Sequence, residues 1–339
     1  MGTVTTENFG GYTWINNCRL NRITTWENDA IQDFQTETII IKENDKKEYW
    51  KLGSDSNKNS YQVKYGLGYS KYIQINNDIV QENHVFVPIN GQVKINHITL
   101  KNRLPQKRIL TLYYALNLSM GEDRVKNLGK IKIERKNNFI TCENICKSEF
   151  NEKIEITSSV PIKSYTNIKN EFFDENMNPI GVNKKSLIPQ GNISVGNVVI
   201  IEIPIELDEY ERKSINLILG KEVQKYFEEP EVEKAICEVE QYWNEKTGII
   251  KVKTPSEKIN LYMNTWLVYQ TLTSRMYGKT GFYQSGGATG YRDQLQDSMA
   301  MKWIDIGILE KQIKIAAKHQ FKEGDVMHWW HEQNQSGIR

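Results

Sequence analysis

Between residues 292 and 297 the chain places one guanidinium, two carboxylates and two amides: Arg292, Asp293, Gln294, Gln296 and Asp297. On a helix, Asp293 and Asp297 lie four apart on one face, where two acids repel unless a cation or a hydrogen-bonding ligand comes between them. A sugar would suit such a face. Its hydroxyl pairs make bidentate contacts with carboxylates and amides, and its apolar side lies on an aromatic ring. Arg292 adds a planar fork matched to phosphate oxygens. In the plainer alternative, Asp293 is an acid favoured by the macrodipole at a helix N-terminus, and Asp297 is a solvated neighbour.

A second cluster is His328-Trp329-Trp330-His331, preceded by Glu323-Gly324-Asp325. The paired tryptophans could form a sugar platform, although tryptophans are more often core residues. The two histidines could ligate a metal, but no third ligand stands at a fitting spacing, so no metal site is expected. The glycine-rich stretch 285–290 lacks the Lys-Ser/Thr of a phosphate-binding P-loop and follows no predicted strand. Trp26-Glu27-Asn28-Asp29 reads as a turn. His84 and His97 fall in predicted strands and read as satisfied structural histidines.

Two kinds of element must position these groups. From about residue 10 to 222 short runs rich in Ile, Val, Tyr and Thr are broken by Gly, Asn and Asp, which predicts strands. They include 38–42, 69–75, 81–87, 93–99, 108–117, 198–207 and 214–220. In 93–99, Val93, Ile95 and His97 alternate with Lys94, Asn96 and Ile98, which predicts two distinct faces. So many strands without intervening helices suit an antiparallel sandwich. Near Pro230 the period changes. Ala235, Ile236, Val239 and Trp243 predict an amphipathic helix over 231–245. Thr254, Pro255 and Glu257 form a capping signal for a helix running to about Tyr277. Two more helices are expected, at 292–305 and 307–322.

Forty-four basic against 42 acidic residues, a net charge of +2, give no global field for nucleic acid or an anionic membrane. No stretch reaches the roughly 18 apolar residues of a membrane span, and residues 1–10 lack the pattern of a signal peptide. The expected location is the cytoplasm. Cys18, Cys142, Cys146 and Cys237 form no CxxC pair and are expected as free thiols.

The segments Gly-Phe-Tyr-Gln-Ser-Gly-Gly-Ala at 281–288, Tyr-Arg-Asp-Gln-Leu-Gln-Asp at 291–297 and Phe-Lys-Glu-Gly-Asp-Val-Met-His-Trp-Trp-His at 321–331 resemble the signatures of glycoside hydrolase family 94. This is the family of cellobiose phosphorylase and cyclic β-1,2-glucan synthase. The likeness extends, in order, back through 264–270, Thr254-Pro255, 93–95, 85–88, Asn21-Arg22 and 11–14. It implies a galactose-mutarotase-like β-supersandwich (1–225), a helical linker (226–253) and the first helices of an (α/α)6 barrel (254–339).

The resemblance also implies a reaction. Inorganic phosphate, the co-substrate, attacks the anomeric carbon of a β-glucoside with inversion, so that one carboxylic acid on the leaving oxygen suffices and no cofactor is needed. By the family pattern Arg292 would hold phosphate and Asp293 the hydroxyls of the transferred sugar. Gln296, Asp297, Trp329 and His331 would face or support the substrate. Glycines at 286 and 287, Gln294-Leu295 and the His-Trp-Trp-His tract look more like the β-1,2-glucan branch than the cellobiose one. Thr289, Glu332 and Gln333 depart from the usual aromatic and prolines and bear on acceptor specificity. The family's general acid lies in an Asp-Trp-Asn-Asp tract later than residue 339. The chain is therefore expected to be a fragment, inactive alone, of a protein that is a homodimer. The alternative is a non-catalytic carbohydrate-binding or structural remnant.

Overall fold

The β-branched runs all become strands in the computed structural model, which describes residues 1–339 apart from 8, 27–35, 47, 54–60, 149, 192 and 282–284. The chain divides into two compact units. The first comprises Met1–Ile15 and Asn21–Cys237; the second comprises Asn16–Leu20 and Glu238–Arg339. Of Trp26-Glu27-Asn28-Asp29, only Trp26 lies among the described residues, stacked on Tyr12.

Among the described residues, the first unit holds an antiparallel sheet of nine strands and a second of five. The pairing of Arg108–Asn117 with Val198–Leu207 runs the full ten residues of each strand. Leu110, Leu112, Tyr114 and Leu116 point from one sheet toward Ile215, Leu217 and Leu219 of the other, and this shared apolar layer is the core. Ile131–Lys136, Phe139–Asn144 and Lys153–Ser158 are strands that stood out less in the sequence, because polar residues alternate through them. The two faces expected of 93–99 are present. Val93–Asn102 is buried on both faces, because one face meets the other sheet and the outer one is covered near Tyr226 and Phe227, whose carbonyls accept Asn216 Nδ2.

The inward polar residues are paired, one ion pair joining the two sheets and another joining neighbouring strands of the five-stranded sheet. Lys94 Nζ lies 2.6 Å from Glu37 Oε2, and both side chains are essentially inaccessible. Tyr114, Thr13 and Thr24 donate their hydroxyls to the same carboxylate at 3.1, 2.6 and 3.1 Å. Glu43 takes Arg108 at 2.6 Å, and Arg108 Nη1 also reaches the Asn77 carbonyl.

His97 is satisfied, with Nδ1 2.7 Å from Asn216 Oδ1. His84, opposite it in the ladder, is not. Its ring contacts Tyr69 and Phe86, and its Nε2 has no hydrogen-bond partner among the described residues. Burial, then Lys71 and His97, push its pKa down to about 4 against the opposing pull of Glu82. The folded chain therefore keeps His84 neutral while the unfolded chain takes up a proton near pH 6.5. The stability this provides is complete above that pH and is lost as pH falls toward 4, by at most about 3 kcal/mol. His84→Phe should flatten the fall in urea midpoint between pH 7 and 4.5. An unchanged slope would place the acid sensitivity elsewhere.

The helix Glu229–Thr247 is divided between the units and buries Val232, Ala235, Val239 and Trp243. The next runs over 257–277, alternating α-helical and π-helical turns. Thr265, Thr271 and Thr273 bond the carbonyls four residues back, competing with the regular ladder where the π turns occur. The cap of this helix differs from the one expected. Ser256, not Thr254, is the N-cap and accepts from the Ile259 amide. Thr254 is instead engaged by Asn260, through its amide and hydroxyl to Oδ1 and its carbonyl from Nδ2. The expected helix at 292–305 is Tyr291–Ser298 followed by a 3-10 turn, Met299–Trp303; the one at 307–322 is Ile306–Ala317. Among the described residues, no helix is long and apolar enough to cross a membrane.

Candidate active site

The helix Tyr291–Ser298 begins at Gly290, whose extended φ of −89° ends a short strand. Gln294 is buried and reaches back to accept the Gly290 amide at 2.5 Å. It thus closes the start of its own helix, as the acidic or amide member of a capping box does. This turn presents Arg292 and Asp293 outward. Arg292 is 86% exposed and touches the carboxylate of Asp293 at 3.2 Å, and Asp293 itself is 56% exposed. A guanidinium fork at a helix N-terminus favours an anion, and the carboxylate beside it can accept hydroxyls.

Asp297 is placed differently. A cation does neutralise it, but that cation is Arg275, whose Nε lies 2.6 Å from Asp297 Oδ2. Arg275 also donates to the Thr280 carbonyl. Sequence reasoning missed Arg275, because its helix showed only its apolar faces and nothing local links it to a carboxylate 22 residues later. Gln296 is exposed. Phe282, Tyr283 and Gln284 lie outside the described residues.

The tract at 328–331 separates into different roles. Trp330 is 1% exposed and stacks on His319 at 3.8 Å, so it is core rather than platform. Trp329 is partly exposed and meets the buried His331 edge to face at 5.5 Å. His328 is exposed, and its backbone pairs with Ile338 and Tyr291. The short strand Trp329–Trp330 pairs with Thr289–Gly290, bringing Trp329 opposite the residue that starts the Arg292 helix. Glu332 bridges Lys279 at 2.6 Å and Thr289 at 3.2 Å. Burial alone would raise its pKa, but Lys279 and then Thr289 outweigh burial and hold the carboxyl below its ordinary range.

The profile of the glycosyl hydrolase 94 supersandwich domain matches residues 1–245, and that of the glycosyl hydrolase 94 superfamily catalytic domain matches residues 242–338. The cyclic beta-(1,2)-glucan synthase NdvB of Rhizobium meliloti (strain 1021) is 26% identical over 373 residues, covering 100% of this chain and 13% of that protein. The N,N'-diacetylchitobiose phosphorylase of Vibrio furnissii is 22% identical over 351 residues, covering 96% of this chain and 44% of that protein. The chain thus spans less than half the length of either relative. A solved bacterial glucoamylase complexed with acarbose has the same fold at a TM-score of 0.60 and 12% identity, over 99% of this chain and 50% of that one. With one family's sandwich and catalytic profiles matching consecutively along it, the chain belongs to glycoside hydrolase family 94.

Proposed function

We propose that this chain forms the supersandwich, the linker and the phosphate-and-sugar side of the active site of an inverting carbohydrate phosphorylase. The observation that carries this reading is the outward Arg292–Asp293 pair on the first turn of Tyr291–Ser298. Arg292 holds phosphate, and Asp293 fixes the hydroxyls of the sugar being transferred. A phosphate oxygen attacks the anomeric carbon, and the bond from that carbon to the leaving oxygen breaks. The leaving oxygen takes a proton from a carboxylic acid, and α-glucose 1-phosphate departs. Trp329 supplies the apolar contact to a sugar ring, with His331, Gln296 and Asp297 in support. Among these, Asp297 acts through its Arg275 pair, which fixes the far end of the helix that carries Arg292. The NdvB likeness and the glycines at 286 and 287 favour β-1,2-linked glucose oligomers as substrate.

Met299, Trp303, Ile306 and Ile313 of the second unit's helices are at least half exposed. Such apolar faces suit helices that pack into a larger barrel. We place the general acid outside residues 1–339, so these residues alone should release no glucose 1-phosphate from β-1,2-glucooligosaccharides and phosphate. A longer protein containing them should do so. Phosphorolysis by residues 1–339 alone, abolished by Asp293→Asn, would overturn this assignment of the acid. Absence of turnover by the longer protein would overturn the activity itself.

A further inference from the structure

Asn17 comes from the start of the chain, yet the segment Asn16–Leu20 belongs to the second unit. Its side chain is 3% exposed. Oδ1 accepts the amides of Arg19 and Leu20 at 2.9 and 3.0 Å. Nδ2 donates to the Gly287 carbonyl at 2.8 Å and to Gln333 Oε1 at 2.9 Å. Two donors and two acceptor positions are all that a carboxamide has, so its capacity is filled. The orientation follows from chemistry, because the Gly287 carbonyl can only accept and the two backbone amides can only donate.

Gly287 is shaped for this approach. Its φ of +64° suits glycine, and a Cβ there would lie 2.2 Å from Asn17 Oδ1. Its amide is held from the other side by the Lys279 carbonyl at 3.0 Å. One residue thus ties two loops together. The Gly287 loop runs through Thr289–Gly290 into the turn bearing Arg292 and Asp293, and Gln333 follows Trp329 and His331 by two to four positions in sequence.

We propose that Asn17 is a positioning residue of the carbohydrate site, a clasp that holds the Gly287 loop and the 331–333 segment in register so that Arg292, Asp293 and Trp329 face one sugar. This rests on the phosphorylase reading above. Asn17 touches no substrate in this scheme and acts through the two loops.

Asn17→Asp is the informative variant. It keeps both oxygen contacts to Arg19 and Leu20 and so preserves the local turn, but it sets a second acceptor against the Gly287 carbonyl. Asn17→Ala loses the turn and the clasp together. In a longer protein that contains these residues, Asn17→Asp should lower kcat for phosphorolysis at least tenfold, since a misplacement of about 1 Å can cost on the order of 100-fold. Thermal stability should fall as well, because a carboxylate at this buried position faces acceptors and has no cation paired with it among the described residues, so kinetics and exchange are compared at a temperature where both proteins remain fully folded. Amide exchange in peptides over 285–290 and 331–334 should quicken, and protection of those peptides by β-1,2-glucooligosaccharide should be lost. Unchanged kinetics and unchanged ligand protection in Asn17→Asp would overturn the clasp, even with faster exchange, because the contact would then serve structure alone. A wild-type protein that turns nothing over would sink the phosphorylase reading, whereas oligosaccharide protection, compared between wild type and Asn17→Asp, would still decide the role of Asn17.

Discussion

Arg292→Ala, in a longer protein that contains these residues, should lower kcat/KM for phosphate by about a thousandfold, the scale seen when a preorganised donor to a reacting anion is removed. Its melting temperature should not change. Arg292 is 86% exposed and bonds only to its neighbour Asp293 among the described residues, so folding gains almost nothing from it. This combination is what separates a ligand-binding arginine from a structural one. Arg292→Lys should recover little, because an ammonium would offer phosphate a point charge in place of a planar fork. Asp293→Asn should instead raise KM for the oligosaccharide and lower kcat, since the amide replaces one acceptor oxygen with a donor. Steady-state kinetics with phosphate and oligosaccharide varied separately check both. A loss of activity that tracks a loss of folded protein would refute the assignment of Arg292.

The contrast between Arg292 and Asp297 shows what a linear reading reaches. The helix carrying both was legible because a loop gives way to polar and apolar positions at helical spacing, and its first turn does face outward. The partner of Asp297 was not legible, because Arg275 comes from another helix and pairs through tertiary packing. Strands such as Arg108–Asn117 and Val198–Leu207 were read at their observed ends, since apolar residues dominate them. Lys153–Ser158 was hidden by alternating charge. The same limit applied at Thr254, where the side chain that looked like a cap was engaged by Asn260 six residues on. Asn17 gave no signal of a role at the site, as its two distant partners, Gly287 and Gln333, lie 270 and 316 positions away. Local propensity was visible; pairings between elements were not.

Lys94→Met should destabilise the sandwich by about 3–5 kcal/mol, because it leaves the Glu37 carboxylate buried without its cation. Three hydroxyls, from Thr13, Thr24 and Tyr114, still donate to that carboxylate, but they carry no charge to offset it. Burial and then Glu37 hold the Tyr114 pKa well above its ordinary value, so the phenol stays neutral. The double change Glu37→Leu with Lys94→Met should cost less than the two single changes summed. It removes the buried charge altogether and leaves only hydroxyls lacking an acceptor, at about 1–3 kcal/mol each if they find no other partner. Urea unfolding followed by far-ultraviolet circular dichroism measures all three, and additive losses would show that the pair is not coupled. The ion pair also constrains how the strands pair. Lys94 and Glu37 sit on different sheets, and a one-residue slip of Val93–Asn102 would turn Lys94 to the outer face and bury Val93 or Ile95 against a carboxylate. Two interior pairs, Glu37 with Lys94 and Glu43 with Arg108, therefore penalise a mispairing that apolar residues alone would tolerate in so isoleucine-rich a strand set.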